Sequence, residues 1–178
     1  MARINLPAGD LPEVVRALSL RPSFAKAVGT YDAAVWDSSL DWRLHELVRM
    51  RIAQVNECTV CLSWRTPQAI EAGVTDELLT NVHRAGVLDA YTDAEKVAIE
   101  YAERFGTDSA RIDDALLARL QEHFDEGEIV ELTLVIAKYF AFGKFMQVLG
   151  LDQTCTLHFD ETGTERRLAR AADQPGAE

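Results

Sequence analysis

The chain has 178 residues and a net charge of −11, with 48% hydrophobic and 26% charged residues, which suits one soluble domain with a real core and excludes a disordered chain. So acidic a surface repels phosphate backbones and anionic lipid, so neither nucleic acid nor a membrane is an expected partner. No apolar run approaches bilayer-crossing length, and "MARINLPAGDLPEVVRAL" lacks the apolar core of a secretory signal, so the cytoplasm is the expected compartment.

The pattern is helical almost throughout. Pro12 suits a first turn and introduces "PEVVRALSL", and Pro22 opens a second helix through "SFAKAVGTYDAAVW". Asp41 is a candidate N-cap for "WRLHELVRMRIAQV", in which Leu44, Leu47, Val48, Ile52 and Val55 form one buried stripe. Beyond the "NECTVC" stretch, Thr66-Pro67 reads as a cap with proline at the first helical position, and Gly73 as a stop. Thr75 opens "DELLTNVHRAG", which Gly86 closes; "TDAE" at Thr92 fits a capping box. Asp113 caps "DALLARLQEHF", and Asp125 precedes the long apolar helix "EIVELTLVIAKYFAFGKFMQVLG". That helix is predicted to be central or to sit at a subunit interface, with Gly143 at a close helix crossing. Thr154 to Phe159 is the one β-leaning piece, and the residues after it are polar. The fold class is therefore all-α, with one domain over residues 1–160 and a polar tail over 161–178.

Two of the three cysteines, Cys58 and Cys61, form a C-x-x-C pair. In a reducing compartment such a pair is more often catalytic or metal-binding than a staple. Zinc would need further ligands, but His45, His83, His123 and His158 are scattered and Cys155 stands alone. The remaining readings are a redox pair at a helix start, where the dipole favours a thiolate, or two small apolar packing residues. Glu46, upstream on the preceding helix, could take a thiol proton. From spacing alone it equally fits an ion pair with Arg49 or Arg43 on a solvated face. No glycine-rich phosphate loop, G-x-S-x-G or H-E-x-x-H occurs, and no cofactor or metal is implied.

Glu46, eleven residues, then Cys58-x-x-Cys61 resembles the alkylhydroperoxidase D (AhpD)-like branch of the carboxymuconolactone decarboxylase family, and the likeness runs from about Leu11 to Leu151. The resemblance implies an AhpD-like helical bundle that forms a homo-oligomer, trimeric or hexameric or else dimeric. It also implies a thiol-dependent peroxidase. Cys61 would attack a hydroperoxide substrate, Cys58 would condense with the resulting sulfenic acid, Glu46 would begin a proton relay, and a dithiol or protein reductant would reopen the disulfide. One position departs. Four residues after Cys61, where the family pattern has histidine, this chain has Arg65. Arginine can support a thiolate or a carboxylate but cannot shuttle a proton near neutral pH. His45, beside Glu46 in sequence, points about 100° away on a helix and is a poor substitute. Two other readings stay open: a lactone decarboxylase like the family's other branch, which does not rely on the pair, and a non-catalytic helical oligomer with packing cysteines.

Overall fold

The computed structural model describes residues 2–152 and, beyond them, the backbone of two short strands, β1 His158–Phe159 and β2 Glu165–Arg166, paired antiparallel. The expected boundary between residues 160 and 161, most of the polar tail, and Cys155 lie outside the described residues.

Among the described residues there are nine α-helices: α1 Glu13–Ser19, α2 Pro22–Trp36, α3 Trp42–Val55, α4 Thr59–Ser63, α5 Pro67–Glu71, α6 Asp76–Asn81, α7 Asp93–Thr107, α8 Asp114–Gln121 and α9 Glu126–Leu149. Their starts follow the caps read from the sequence. Asp41 accepts from the backbone N–H groups of Arg43 and Leu44, Thr66 from Ala69 and Thr75 from Leu78. Thr92–Glu95 and Asp125–Glu128 are full capping boxes, so orphan N–H groups at both helix starts are satisfied reciprocally. The segment expected to run to Gly86 divides into α6 and a 3-10 turn, Val82–Val87, that contains Gly86. Pro12 has no side-chain oxygen to cap α1. Asp152 does so from the far end of the chain, accepting from Glu13 and Val14 N–H while Glu13 accepts from Asp152 N–H.

The central element is α3, not α9. Seven consecutive residues, Leu44 to Met50, are buried, because α3 packs against both α7 and α9 and is covered by the segment from α4 to the 3-10 turn. One face, with Leu44, Val48 and Ile52, joins Ala98, Ala102 and Ile136 in the larger core cluster. The other face, with Leu47, Met50 and Ala53, meets Leu79, Val82 and Ile99. By contrast α9 exposes Val130, Leu134 and Val148, although its sequence is apolar over most of its circumference. Gly143 does mark a close crossing. A Cβ there would lie 2.3 Å from Asn56 Nδ2, whose amide donates to the carbonyl of Phe140 at 3.1 Å. The end of α3, from which the cysteines depart, is thereby pinned against α9.

Candidate functional site

The departure of the chain from α3 fixes where Cys58 lies. Glu57 N–H donates to Gln54 and Cys58 N–H to Ala53, with Glu57 at φ +52°. This is a Schellman ending with glutamate in the left-handed position that glycine normally takes. Cys58 is then the N-cap of α4, its sulfur 3.3 Å from the N–H of Cys61. The two cysteines are joined in a disulfide with Cα atoms 5.2 Å apart. Cys58 is fully buried, whereas Cys61 is half-buried.

Beneath this turn lies a buried ion pair. Arg49 Nε donates to Glu46 Oε2 at 2.7 Å and its Nη2 to Oε1 at 2.6 Å, a two-pronged contact with both side chains about 99% or more buried. The pairing expected from i,i+3 spacing is present, but it is in the interior rather than on a solvated face. Arg43 instead reaches Glu95. The remaining Arg49 donors bind the α4 segment: Nη1 to the Cys61 carbonyl at 2.7 Å and Nη2 to the Trp64 carbonyl at 3.1 Å. Its guanidinium also lies 4.3 Å over the Trp64 ring. One arginine thus ties Glu46 to the backbone that carries Cys61.

Arg65 sits elsewhere. Its Nε donates to Asp76 at 3.1 Å, and its Nη1 to the carbonyls of Leu62 and Trp64. The cation in contact with Glu46 is Arg49. Sequence reasoning passed over Arg49 because a carboxylate and an arginine three residues apart are an ordinary surface pair. The spacing carried no signal of their burial, because at 100° per residue both lie on the face of α3 opposite the apolar stripe, a face buried by tertiary contacts.

An aromatic group flanks the pair. Trp36 packs on Trp42 and Trp64, with ring centroids 5.6 and 6.3 Å apart, and Trp42 on His45 at 4.8 Å. His45 meets Tyr139 edge-on at 5.6 Å, and Lys138, paired with Asp32 at 2.5 Å, lies 4.2 Å over the Tyr139 ring. Burial lowers the His45 pKa to about 4, helped by the positive charges of Arg49 and Lys138 and opposed by the Val35 carbonyl and Glu131. His45 is therefore a neutral imidazole at neutral pH. Burial also raises Tyr139 well above the usual phenol range. Among the described residues no group of three or more His, Cys, Asp or Glu side chains could hold a metal ion, and no helix is long and apolar enough to cross a membrane.

The pattern of the carboxymuconolactone decarboxylase family matches residues 22–104, the stretch from α2 into α7 that carries Glu46, Arg49 and both cysteines. The uncharacterized protein YdfG of Bacillus subtilis (strain 168) is 31% identical over 114 residues, covering 64% of this chain and 78% of that one. The chain belongs to the carboxymuconolactone decarboxylase family. Solved structures extend the likeness to the whole bundle. The debrominase Bmp8, in complex with 2,3,4-tribromopyrrole, superposes with a TM-score of 0.68 at 19% identity, covering 80% of this chain and 77% of that one. An uncharacterized peroxidase-related protein from Ralstonia eutropha JMP134, described as an alkylhydroperoxidase AhpD core, gives 0.66 at 18% identity, covering 81% and 77%. At these identities the likeness establishes an AhpD-like fold for this family member and nothing about its substrate.

Proposed function

We propose that the protein is a thiol-dependent peroxidase in which Cys61 is the attacking sulfur and Cys58 the resolving one. The observation that carries this reading is the Cys58–Cys61 disulfide, with Cys61 the more exposed residue of the two and with Arg49 joining its carbonyl to Glu46. In the dithiol form, the Cys61 thiolate attacks the terminal oxygen of a hydroperoxide. The O–O bond breaks, Cys61 becomes a sulfenic acid, and the alkoxide leaves as an alcohol after taking a proton. The Cys58 thiol then attacks the sulfenic sulfur, expelling water and forming the disulfide. An external dithiol reduces that disulfide and is itself oxidised to a disulfide.

Glu46 moves the proton in this scheme. Both of its oxygens accept from Arg49, but each keeps a second lone pair for a proton. Arg65 steadies the segment after Cys61 through the Leu62 and Trp64 carbonyls and takes no part in proton transfer.

The test uses fully reduced protein and one equivalent of hydroperoxide, followed by peptide mass spectrometry. A Cys58–Cys61 linkage is expected in wild type, and in Cys58→Ser a sulfenic acid on Cys61 that dimedone captures. Unmodified thiols, or capture on Cys58 in the converse Cys61→Ser variant, would overturn the assignment.

A further inference from the structure

The outward face of α9 is apolar from one end to the other. Val130, Leu134, Ala137, Ala141, Phe145 and Val148 follow at steps of three or four, so they fall in one line along the helix. At the helical rise per residue that line is about 27 Å long. Val130, Leu134 and Val148 are 59%, 50% and 59% exposed, and Ala141 is exposed as well. Beside the line, Phe24 and Val28 of α2 border a groove of about 410 Å³ with Ala141, Phe142 and Phe145, and Phe24 is 68% exposed.

So long an uncovered apolar face is unusual on a monomer and marks a surface for association. Two features of the line favour a second copy of this chain as the occupant. The line carries no charged residue, in a chain of net charge −11 whose copies repel each other elsewhere. Its order of sizes also runs alike in both directions: two large residues, two alanines, two large residues. Such an order is complementary to itself when one helix is turned end for end, and contacts across a twofold axis require that property.

We infer that two copies of the chain meet at this face, with their α9 helices antiparallel across a twofold axis. Val130 then meets the partner's Val148, Leu134 the partner's Phe145, and Ala137 the partner's Ala141. The alanines at the centre let the two helices approach closely. The acidic first turn, with Glu126 and Glu128, lies toward the partner's C-terminal half rather than against its own duplicate. With the α2 border the face measures roughly 27 Å by 20 Å, so two copies together cover on the order of 1,000 Å², the lower end of specific interfaces. This pairing does not rest on the peroxidase reading.

Sedimentation equilibrium of the full chain in dithiothreitol reads its mass in multiples of 19.8 kDa. Wild type is expected at two copies or a larger even number. Ala141→Glu, a change at an exposed position, is expected at half the wild-type mass with its helical circular dichroism intact. Val87→Glu, 79% exposed on the 3-10 turn, is the control and should leave the mass unchanged. Charge tests the antiparallel register. Val130→Glu and Val148→Lys should each weaken association tenfold or more, and the double variant should recover most of that loss, since each new carboxylate faces a new ammonium of the other copy. Wild type that stays monomeric up to about 100 µM leaves the face to another occupant and overturns the assignment. An odd number of copies, an unchanged mass in folded Ala141→Glu, equal dissociation by Val87→Glu, or a double variant no tighter than the singles would also do so.

Discussion

At the scale of single residues, the site rests on two side chains in costly environments. Arg49 and Glu46 are both buried, and each neutralises the other. Arg49→Met leaves an uncompensated carboxylate and is expected to cost about 3–5 kcal/mol. Adding Glu46→Gln should recover part of that loss. Urea denaturation of the two single variants and the double variant checks this, and a loss in Arg49→Met too small to measure would contradict it.

His45 makes stability depend on pH. Its folded pKa, about 4, lies below the unfolded value near 6.5, so the unfolded chain binds more protons between them. Stability is then full above pH 6.5 and is lost as pH falls toward 4, by about 3 kcal/mol from this residue. The charged groups acting on it are Arg49, Lys138 and Glu131. In His45→Phe the melting temperature should fall less steeply across that window than in wild type. Parallel curves would contradict the assignment. Glu57, at φ +52° in the Schellman ending, invites the opposite test. Glu57→Gly should raise stability by a few tenths of a kcal/mol to about 1, because glycine adopts that conformation without a Cβ penalty. Thermal melts that show a loss would argue against strain there.

At the scale of elements, the crossing of α3 and α9 positions the cysteine turn. Gly143→Ala would drive a methyl into the Asn56 amide and displace it from the Phe140 carbonyl, at a cost of about 1–3 kcal/mol. Gly29, inside α2 with nothing within 4 Å of an added Cβ, is the control; Gly29→Ala should stabilise by about 0.5–1 kcal/mol. Comparison of the two melts separates a packing constraint from helix propensity. These elements were largely legible in the sequence, because caps are local: Asp41, Thr66, Thr75, Thr92, Asp113 and Asp125 all stand where their helices begin. What sequence could not rank was centrality. Apolar content favoured α9, yet α3, with Glu46, Arg49 and His45 among its residues, is more completely buried. Its two buried charges, Glu46 and Arg49, pair with each other and Arg49 with backbone carbonyls of the α4 segment, and only the fold supplies those carbonyls.

At the scale of the whole molecule, the candidate site was half legible. Glu46, Cys58 and Cys61 could be named from spacing. The burial of Arg49, its bonds to the Cys61 and Trp64 carbonyls and the grouping of the three tryptophans could not, because they are assembled from α2, α3 and the segment after α4. The position of Arg65 in the motif suggested a cation supporting the Cys61 thiolate or Glu46; its hydrogen bonds go to Asp76 and to the Leu62 and Trp64 carbonyls. In the proposed function this bundle turns two sulfurs and a clamped carboxylate into a peroxide-reducing cycle. The most direct measurement is hydroperoxide consumption with a dithiol reductant, comparing wild type with Cys61→Ser. Many turnovers are expected in wild type and none above background in the variant; equal consumption by the two proteins, or none by either, would contradict the claim.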